Sequence, residues 1–287
     1  LRAGVLPVRL YSFRDGIHVV DGEGRAARWI GARVTAVGGR PIEDVLRDLA
    51  PFVSRDNAMG LRSSGVGLYL RHTGFLRAVA AADSLGAATL TLTGSAGTRQ
   101  VTLPASSHRF GDALPVPDAA GEDPPLYLTH PATRYWMEPL PEHGALYVQI
   151  NAIRNLEEGP SLAAFARSIR DSLESTGARG VVVDLRWNGG GNNGLVRPLI
   201  RQLVAWEVSG DGRTIPVLAG RHTFSAAQNL ANRLERWTEA VFVGEPTGSR
   251  PNVAGERTAL VLPWSGLRAS ISNRYWQDSD PGDERPW

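Results

Sequence analysis

Ser225 lies in Arg221-His-Thr-Phe-Ser-Ala-Ala-Gln228, between a predicted strand and an amphipathic helix. A serine at such a junction holds its Oγ at the positive end of the helix dipole, which favours alkoxide character and nucleophilic attack. The same position also suits an ordinary N-cap. A second segment, Asp184-Leu-Arg-Trp-Asn-Gly-Gly-Gly191-Asn-Asn193, follows a buried apolar run. Its three consecutive glycines let the backbone turn sharply and offer bare N–H groups. Converging near a helix start, such groups stabilise a developing oxyanion; otherwise they make only a tight turn. The segment is not read as a dinucleotide fingerprint. A third stretch, Val243-Gly-Glu-Pro-Thr-Gly-Ser-Arg-Pro-Asn252, reads as a loop after a strand.

Two absences narrow the chemistry. The chain has no Cys, which excludes disulfides, a thiolate nucleophile and a Cys-based zinc site. All 31 basic residues are Arg, so Schiff-base chemistry and a Ser–Lys dyad cannot arise within it. The sequence has no HExxH spacing, and no metal or other cofactor is expected. Among the six histidines, His222 is nearest in sequence to Ser225, although a strand residue three positions earlier need not face it. Asp184 is expected to end a strand and fix the glycine turn, and Glu245 to hold its loop to Arg186 or Arg250.

The elements that must position these residues follow from periodicity. In the first half, Arg9 to Val20 reads as strand broken at Asp15-Gly16, and 31–37 as a second strand. Gly38-Gly39 then turns into a helix opened by Pro41, with Ile42, Val45, Leu46 and Leu49 on one stripe. Strands at 88–93 and 100–103 flank a hairpin turn. In the second half, strands at 145–150, 180–185, 214–218 and 240–244 alternate with helices after Ser161 and at 226–237. That alternation predicts an α/β domain with a mainly parallel sheet. Pro, Asp and Gly dominate from Ala105 to Thr133, a linker composition.

Taken in order, the three segments resemble the tail-specific, or C-terminal-processing, serine peptidase family, which includes the tricorn core proteases. The resemblance covers most of the second half. The order strand, Gly-Gly turn, short helix and hairpin in the first half resembles a PDZ-like domain. The implied fold is a crotonase/ClpP-like α/β catalytic domain at 134–287, behind a mostly β, PDZ-like peptide-binding domain at 1–105. A linker at 106–133 joins them, and 51–86 is read as an insertion. Carried over by motif, Ser225 is the nucleophile, and Gly190 and the amide of Ala226 hold the oxyanion, with Gly191 close by.

In the lysine-dependent branch the general base lies twenty-five positions after the serine. Here that position is Arg250, whose guanidinium cannot accept a proton. The tricorn-core-like branch remains, with an upstream histidine as base and a downstream acid. His222 is a candidate for the base, and Asp280 and Asp283 for the acid. The resemblance implies cleavage of peptides or protein C-terminal regions and a cell-envelope or secreted location. Two rivals stand beside it: a module of the same ancestry that has lost its base and only holds peptides or hydrophobic ligands, and a crotonase-like acyl-CoA enzyme. No paired acids or adenine-pocket signals support the second.

The bulk composition agrees with a globular chain. At 42% hydrophobic and 21% charged over 287 residues, it can build two domains of ordinary size. No apolar run approaches the ~18 residues of a membrane span. Net charge is +2 with scattered arginines, so no nucleic-acid partner is expected. The oligomeric state is left open. The ends at Leu1 and Trp287 read as cut edges of something longer, with the catalytic domain truncated at its C-terminal end.

Overall fold

In the computed structural model, which describes residues 3–95, 97–106 and 124–285, Asp15-Gly16 divides the first strand region into β1 (Val8–Ser12) and β2 (Ile17–Gly22). The Phe13 N–H closes the turn on the Gly16 carbonyl at 2.7 Å. These strands begin the first of two units, Leu1–Pro124. β3 (Arg33–Val37), β4 (Arg40–Pro41), β5 (Ala87–Gly94) and β6 (Gly97–Pro104) complete its sheet. The order is β1-β2-β3-β5-β6 with β4 on β3, and every pairing is antiparallel. Helix α1 (Ile42–Leu49) buries Ile42, Val45 and Leu49 as its stripe requires, and Pro41 caps it rather than occupying its first turn.

The segment 51–86 folds into short helical turns, among them α2 (Ala58–Gly60) and α3 (Thr73–Ala78). Val66, Leu70, Leu76, Val79 and Ala81 from it join the buried core of this unit. Arg71 is buried there too, donating to the Gly67 carbonyl at 3.0 Å; burial, then the charge of Arg9, lowers its pKa to about 10. Most of the linker expected at 106–133 falls on 107–123, outside the described residues.

The second unit, Pro125–Trp287, is a mixed α/β fold. Its strands are β7 (Tyr135–Leu140), β8 (Ala145–Ile150), β9 (Gly180–Asp184), β10 (Pro216–Ala219) and β11 (Val241–Gly244). They lie in the order β11-β10-β9-β8-β7, parallel from β11 to β8, with β7 antiparallel at one edge. A parallel strand pair needs a crossover, and the helices supply it. They are α4 (Leu162–Thr176), α5 (Val196–Glu207) and α6 (Ala226–Trp237). Ser161 caps α4, its Oγ accepting from the Ala164 N–H at 3.2 Å. Leu162, Phe165, Ile169 and Leu173 of α4 and Leu199, Leu203 and Trp206 of α5 fill one core with Leu146, Val181 and Val183 of the sheet. Each large aliphatic so buried contributes about 1.5–3 kcal/mol.

One expectation fails here. The apolar run at 240–244 reads as a buried strand, but β11 is the sheet's edge, with Val241 and Val243 exposed. The chain then forms a separate two-stranded ribbon, β12 (Asn252–Val261) with β13 (Arg268–Gln277). No helix among the described residues is long and apolar enough to cross a membrane.

Candidate active site

β9 delivers the glycine segment. Asp184, at its end, is fully buried; its Oδ1 accepts the Arg186 backbone N–H at 2.9 Å, and its Oδ2 accepts the Tyr147 hydroxyl at 2.7 Å and the Arg186 guanidinium at 2.5 Å. This fixes the chain's exit from the sheet. Asn188, also fully buried, then accepts the Gly190 N–H on its Oδ1 at 2.9 Å and the Phe224 N–H on its backbone carbonyl at 3.0 Å. Gly189, Gly191 and Gly194 do fall at GxGxxG spacing. Four residues separate them from β9, however, and the next strand ends in Ala219-Gly220, without the acid that a ribose would need.

β10 delivers the serine segment. Thr223, fully buried, donates from Oγ1 to the Leu185 carbonyl at 2.8 Å and accepts the Gly220 N–H at 3.1 Å. Two residues later the chain turns into α6. Ala227 N–H bonds the Phe224 carbonyl at 3.1 Å, so Ser225 is the first central residue of a tight turn. Its φ of 57° and ψ of −122° are type II′ values, which glycine normally supplies. A non-glycine residue held there carries strain of about 1–3 kcal/mol. The Ser225 side chain makes no capping bond to α6. Ser225 thus occupies the N-cap position of α6, but its hydroxyl is not used to finish the helix.

The two segments meet at Gly190. A Cβ placed there would lie 2.8 Å from the Phe224 carbonyl oxygen, 2.8 Å from Ser225 Cβ and 3.0 Å from Ala226 N. Only glycine, at its φ of 102°, allows the approach. The structure departs from the residue-by-residue carry-over at this point, because the Gly190 amide is already committed to Asn188. Its carbonyl accepts the Ile153 N–H at 2.9 Å. In a planar trans peptide the following N–H points the opposite way, so the Gly191 N–H faces away from Ile153. The Ala226 N–H, first in its helix, has no carbonyl within the helix to bond.

His222 and Asp283 are each held by partners of their own. The His222 ring stacks on Trp187, with centroids 5.2 Å apart. Burial, then the Arg221 charge, pushes its pKa down to about 4 against the pull of Glu245. A base so weak is poorly matched to a serine hydroxyl near neutral pH. Asp283 accepts the Ser279 hydroxyl at 2.6 Å, which, with Arg285, holds its carboxyl below the usual range. Arg285 in turn pairs with Glu235 at 2.8 Å. Glu235 is ten residues beyond Ser225, roughly 15 Å along the helix axis at 1.5 Å per residue. Asp283 is thus anchored towards the far end of α6. The Asp280 carbonyl accepts from Asn252 Nδ2 at 2.6 Å.

Glu245 takes a partner other than the two expected. Arg221 grips it with two bonds of 2.7 Å, while Arg186 turns to Asp184 and Arg250 lies 3.6 Å from Glu284. The residues sequence reading passed over are Arg221, Thr223 and Asn188. All three lie inside the quoted motifs, which was the one signal that could have marked them, and the structure buries them.

Acidification tests the His222 geometry. The unfolded chain takes up a proton near pH 6.5 and the folded one near pH 4, so stability present at neutral pH is lost as pH falls through that window. The loss is expected on the order of 3 kcal/mol. Burial raises the Glu245 pKa, but its bonds to Arg221 outweigh this and leave it lowered, so its own loss comes at lower pH. Urea midpoints measured across the range should therefore fall in the parent and flatten above pH 4.5 in His222→Gln. Parallel curves would place the ring in solvent.

No protein-family model and no curated protein matches this chain. Solved structures do. The structure of mature CPAF complexed with lactacystin is 14% identical with a TM-score of 0.66, covering 94% of this chain and 74% of that one. The crystal structure of mature CPAF is 15% identical with a TM-score of 0.57, covering 95% and 75%. The resemblance to tail-specific peptidases thus holds at the level of the fold.

Proposed function

We propose that the chain is a serine-type peptidase in which Ser225 attacks a peptide carbonyl. The Ser225 Oγ–C bond forms as the hydroxyl proton passes to a base, the amine leaves protonated, and water hydrolyses the acyl-enzyme. The N–H groups of Ala226 and Gly191 are assigned to the oxyanion, with Gly190 as the residue whose bare Cα lets the two segments close. The observation that carries this reading is the φ of 57° at Ser225: a strained serine, uncapping, at the start of a buried helix. Strain of this kind persists where the surroundings over-determine it and gathers at active sites. The second unit is read as the crotonase-like catalytic domain and the first as the PDZ-like peptide-binding domain. An envelope or secreted location goes with this reading.

A second reading rests on the placement of His222 and Asp283: a module of the same ancestry that binds peptides without cutting them. A fluorophosphonate probe separates the two. On the peptidase reading it labels the parent chain and not Ser225→Ala; silence from about pH 6 to about pH 9 leaves the binding module. Ser225→Gly adds a second expectation. It abolishes labelling yet raises stability over Ser225→Ala by about 1 kcal/mol, because glycine relieves the turn. Equal urea midpoints for the two variants would mean that the turn is unstrained.

A further inference from the structure

The ribbon of β12 and β13 ends in a tip built of apolar side chains. Between the strands runs Leu262-Pro-Trp-Ser-Gly-Leu267. The Leu262 N–H donates to the Leu267 carbonyl at 2.8 Å, and the Gly266 N–H to the Leu262 carbonyl at 2.9 Å. Ser265 Oγ accepts the Leu267 N–H at 3.3 Å. The tip is therefore closed by its own bonds, and it holds Trp264 outward, fully exposed. Val261, Leu262 and Leu267 around it are exposed as well. A cluster of this kind differs from hydrophobic residues scattered singly over a surface, which need no explanation.

Charge on the ribbon is one-sided. The strands keep one register from Asn252–Gln277 to Val261–Arg268, with a gap only at Glu256–Asn273. Successive side chains point to opposite faces, so Arg257, Arg268 and Arg274 share one face and Leu260, Ile271 and Tyr275 the other. From Asn252 to Gln277 the sole carboxylate is Glu256. Three guanidiniums against one carboxylate leave two positive charges over. Arg268 sits beside the tip, opposite Val261, and Arg257 lies four residues further back, about 13 Å along the strand.

These features fit a lipid surface better than a protein one. Apolar side chains project around the whole tip, so their cover must surround them, whereas a flat protein face covers one side. Tryptophan suits the membrane–water interface, with its ring in the apolar layer and its N–H towards water. Arginine stems reach back to the headgroups, and an anionic leaflet attracts each of them. A second copy would set the same positive charge against itself along an isologous contact. We propose that the ribbon docks the second unit on an anionic lipid surface. Leu262, Trp264 and Leu267 enter the interface, and Arg257 and Arg268 meet the headgroups. The inference is independent of the peptidase reading and needs no membrane-spanning segment.

The test uses the 287-residue chain and its co-sedimentation with vesicles of phosphatidylcholine, alone or with phosphatidylglycerol at about 30%. The mixed vesicles are expected to bind the chain about tenfold tighter, by a margin that narrows as salt is added. Trp264→Ser should weaken binding to them about tenfold or more, with the urea midpoint unchanged because that side chain is fully exposed in the fold. Trp237→Ser removes another exposed tryptophan, at the end of α6, and should leave binding at the parental level. Arg257→Gln with Arg268→Gln should bring the mixed vesicles close to the neutral ones. The proposal is overturned by absence of binding to either vesicle, or by binding that Trp264→Ser leaves intact or Trp237→Ser weakens equally. A preference for the mixed vesicles that survives the double arginine substitution overturns it too. Sedimentation velocity without lipid is expected to show the same species for the parent and Trp264→Ser. A dimer that this substitution dissociates would assign the tip to a second copy and end the lipid reading.

Discussion

Gly190→Ala is expected to cost about 3 kcal/mol or more of stability and to cut fluorophosphonate labelling of Ser225 by at least about a hundredfold. Two causes add. The methyl would stand 2.8 Å from both the Phe224 oxygen and Ser225 Cβ, closer than such atoms approach, and neither neighbour is the loose end of a long side chain. The φ of 102° is also one that alanine rarely adopts. Relief requires the serine turn to move away from the glycine segment. An ångström of misplacement is enough to remove most of a nucleophile's reactivity. Urea denaturation gives the first number, and labelling in buffer where the variant is folded gives the second. A variant as stable as the parent and labelled at the parental rate would place Gly190 outside the site.

Where burial and periodicity agree, the elements were readable from the sequence. The α4 stripe of Leu162, Phe165, Ile169 and Leu173 is buried as the 3.6-residue spacing predicts, and α6 runs from Ala226 to Trp237 as expected. Helix α5 had a similar signal in Val196, Leu199, Ile200, Leu203 and Trp206, but Pro198 in its first turn obscured the start. Proline is tolerated there because the early N–H groups of a helix have no partner to lose. The run Val241-Phe-Val-Gly244 misled for the opposite reason. Apolarity says that a strand wants cover, not that a neighbour provides it, and this one is the edge. The β12–β13 ribbon carries no clean alternation, since nearly all of it is exposed.

The site itself was half legible. The family resemblance grouped Ser225, Gly190 and Ala226, and in the structure the three do lie together. What sequence does not encode is which amide is free. Asn188 occupies the Gly190 amide through a two-residue side-chain turn, which is why the proposed reading assigns the donor role to the next peptide. Nor does the sequence announce the strain at Ser225, because the turn there asks for glycine and receives serine. Local rules fail where function outranks propensity, so the failure is itself informative. Distance in the chain hid the rest: Arg221 finds Glu245 across 24 positions and Arg285 finds Glu235 across 50, pairings no motif spacing could suggest.

Asp184→Ala is expected to destabilise the second unit by about 3 kcal/mol and to reduce labelling with it. The carboxylate is wholly buried and receives a charged guanidinium, a tyrosine hydroxyl and the Arg186 backbone N–H. Truncation leaves these donors facing a cavity, and an unpaired buried donor costs more than its bond was worth. The backbone contact matters most for function, because it sets the direction in which the chain leaves β9 and hence where the glycines arrive. Asp184→Asn keeps an acceptor at that position while losing the charge, so it should retain more labelling than Asp184→Ala. Adding Arg186→Met to Asp184→Ala should recover part of the stability, because the stranded guanidinium is removed, but not the labelling, because the turn remains unsupported. If the double variant regained both, the ion pair alone would matter and the glycine segment would be shaped by something other than Asp184.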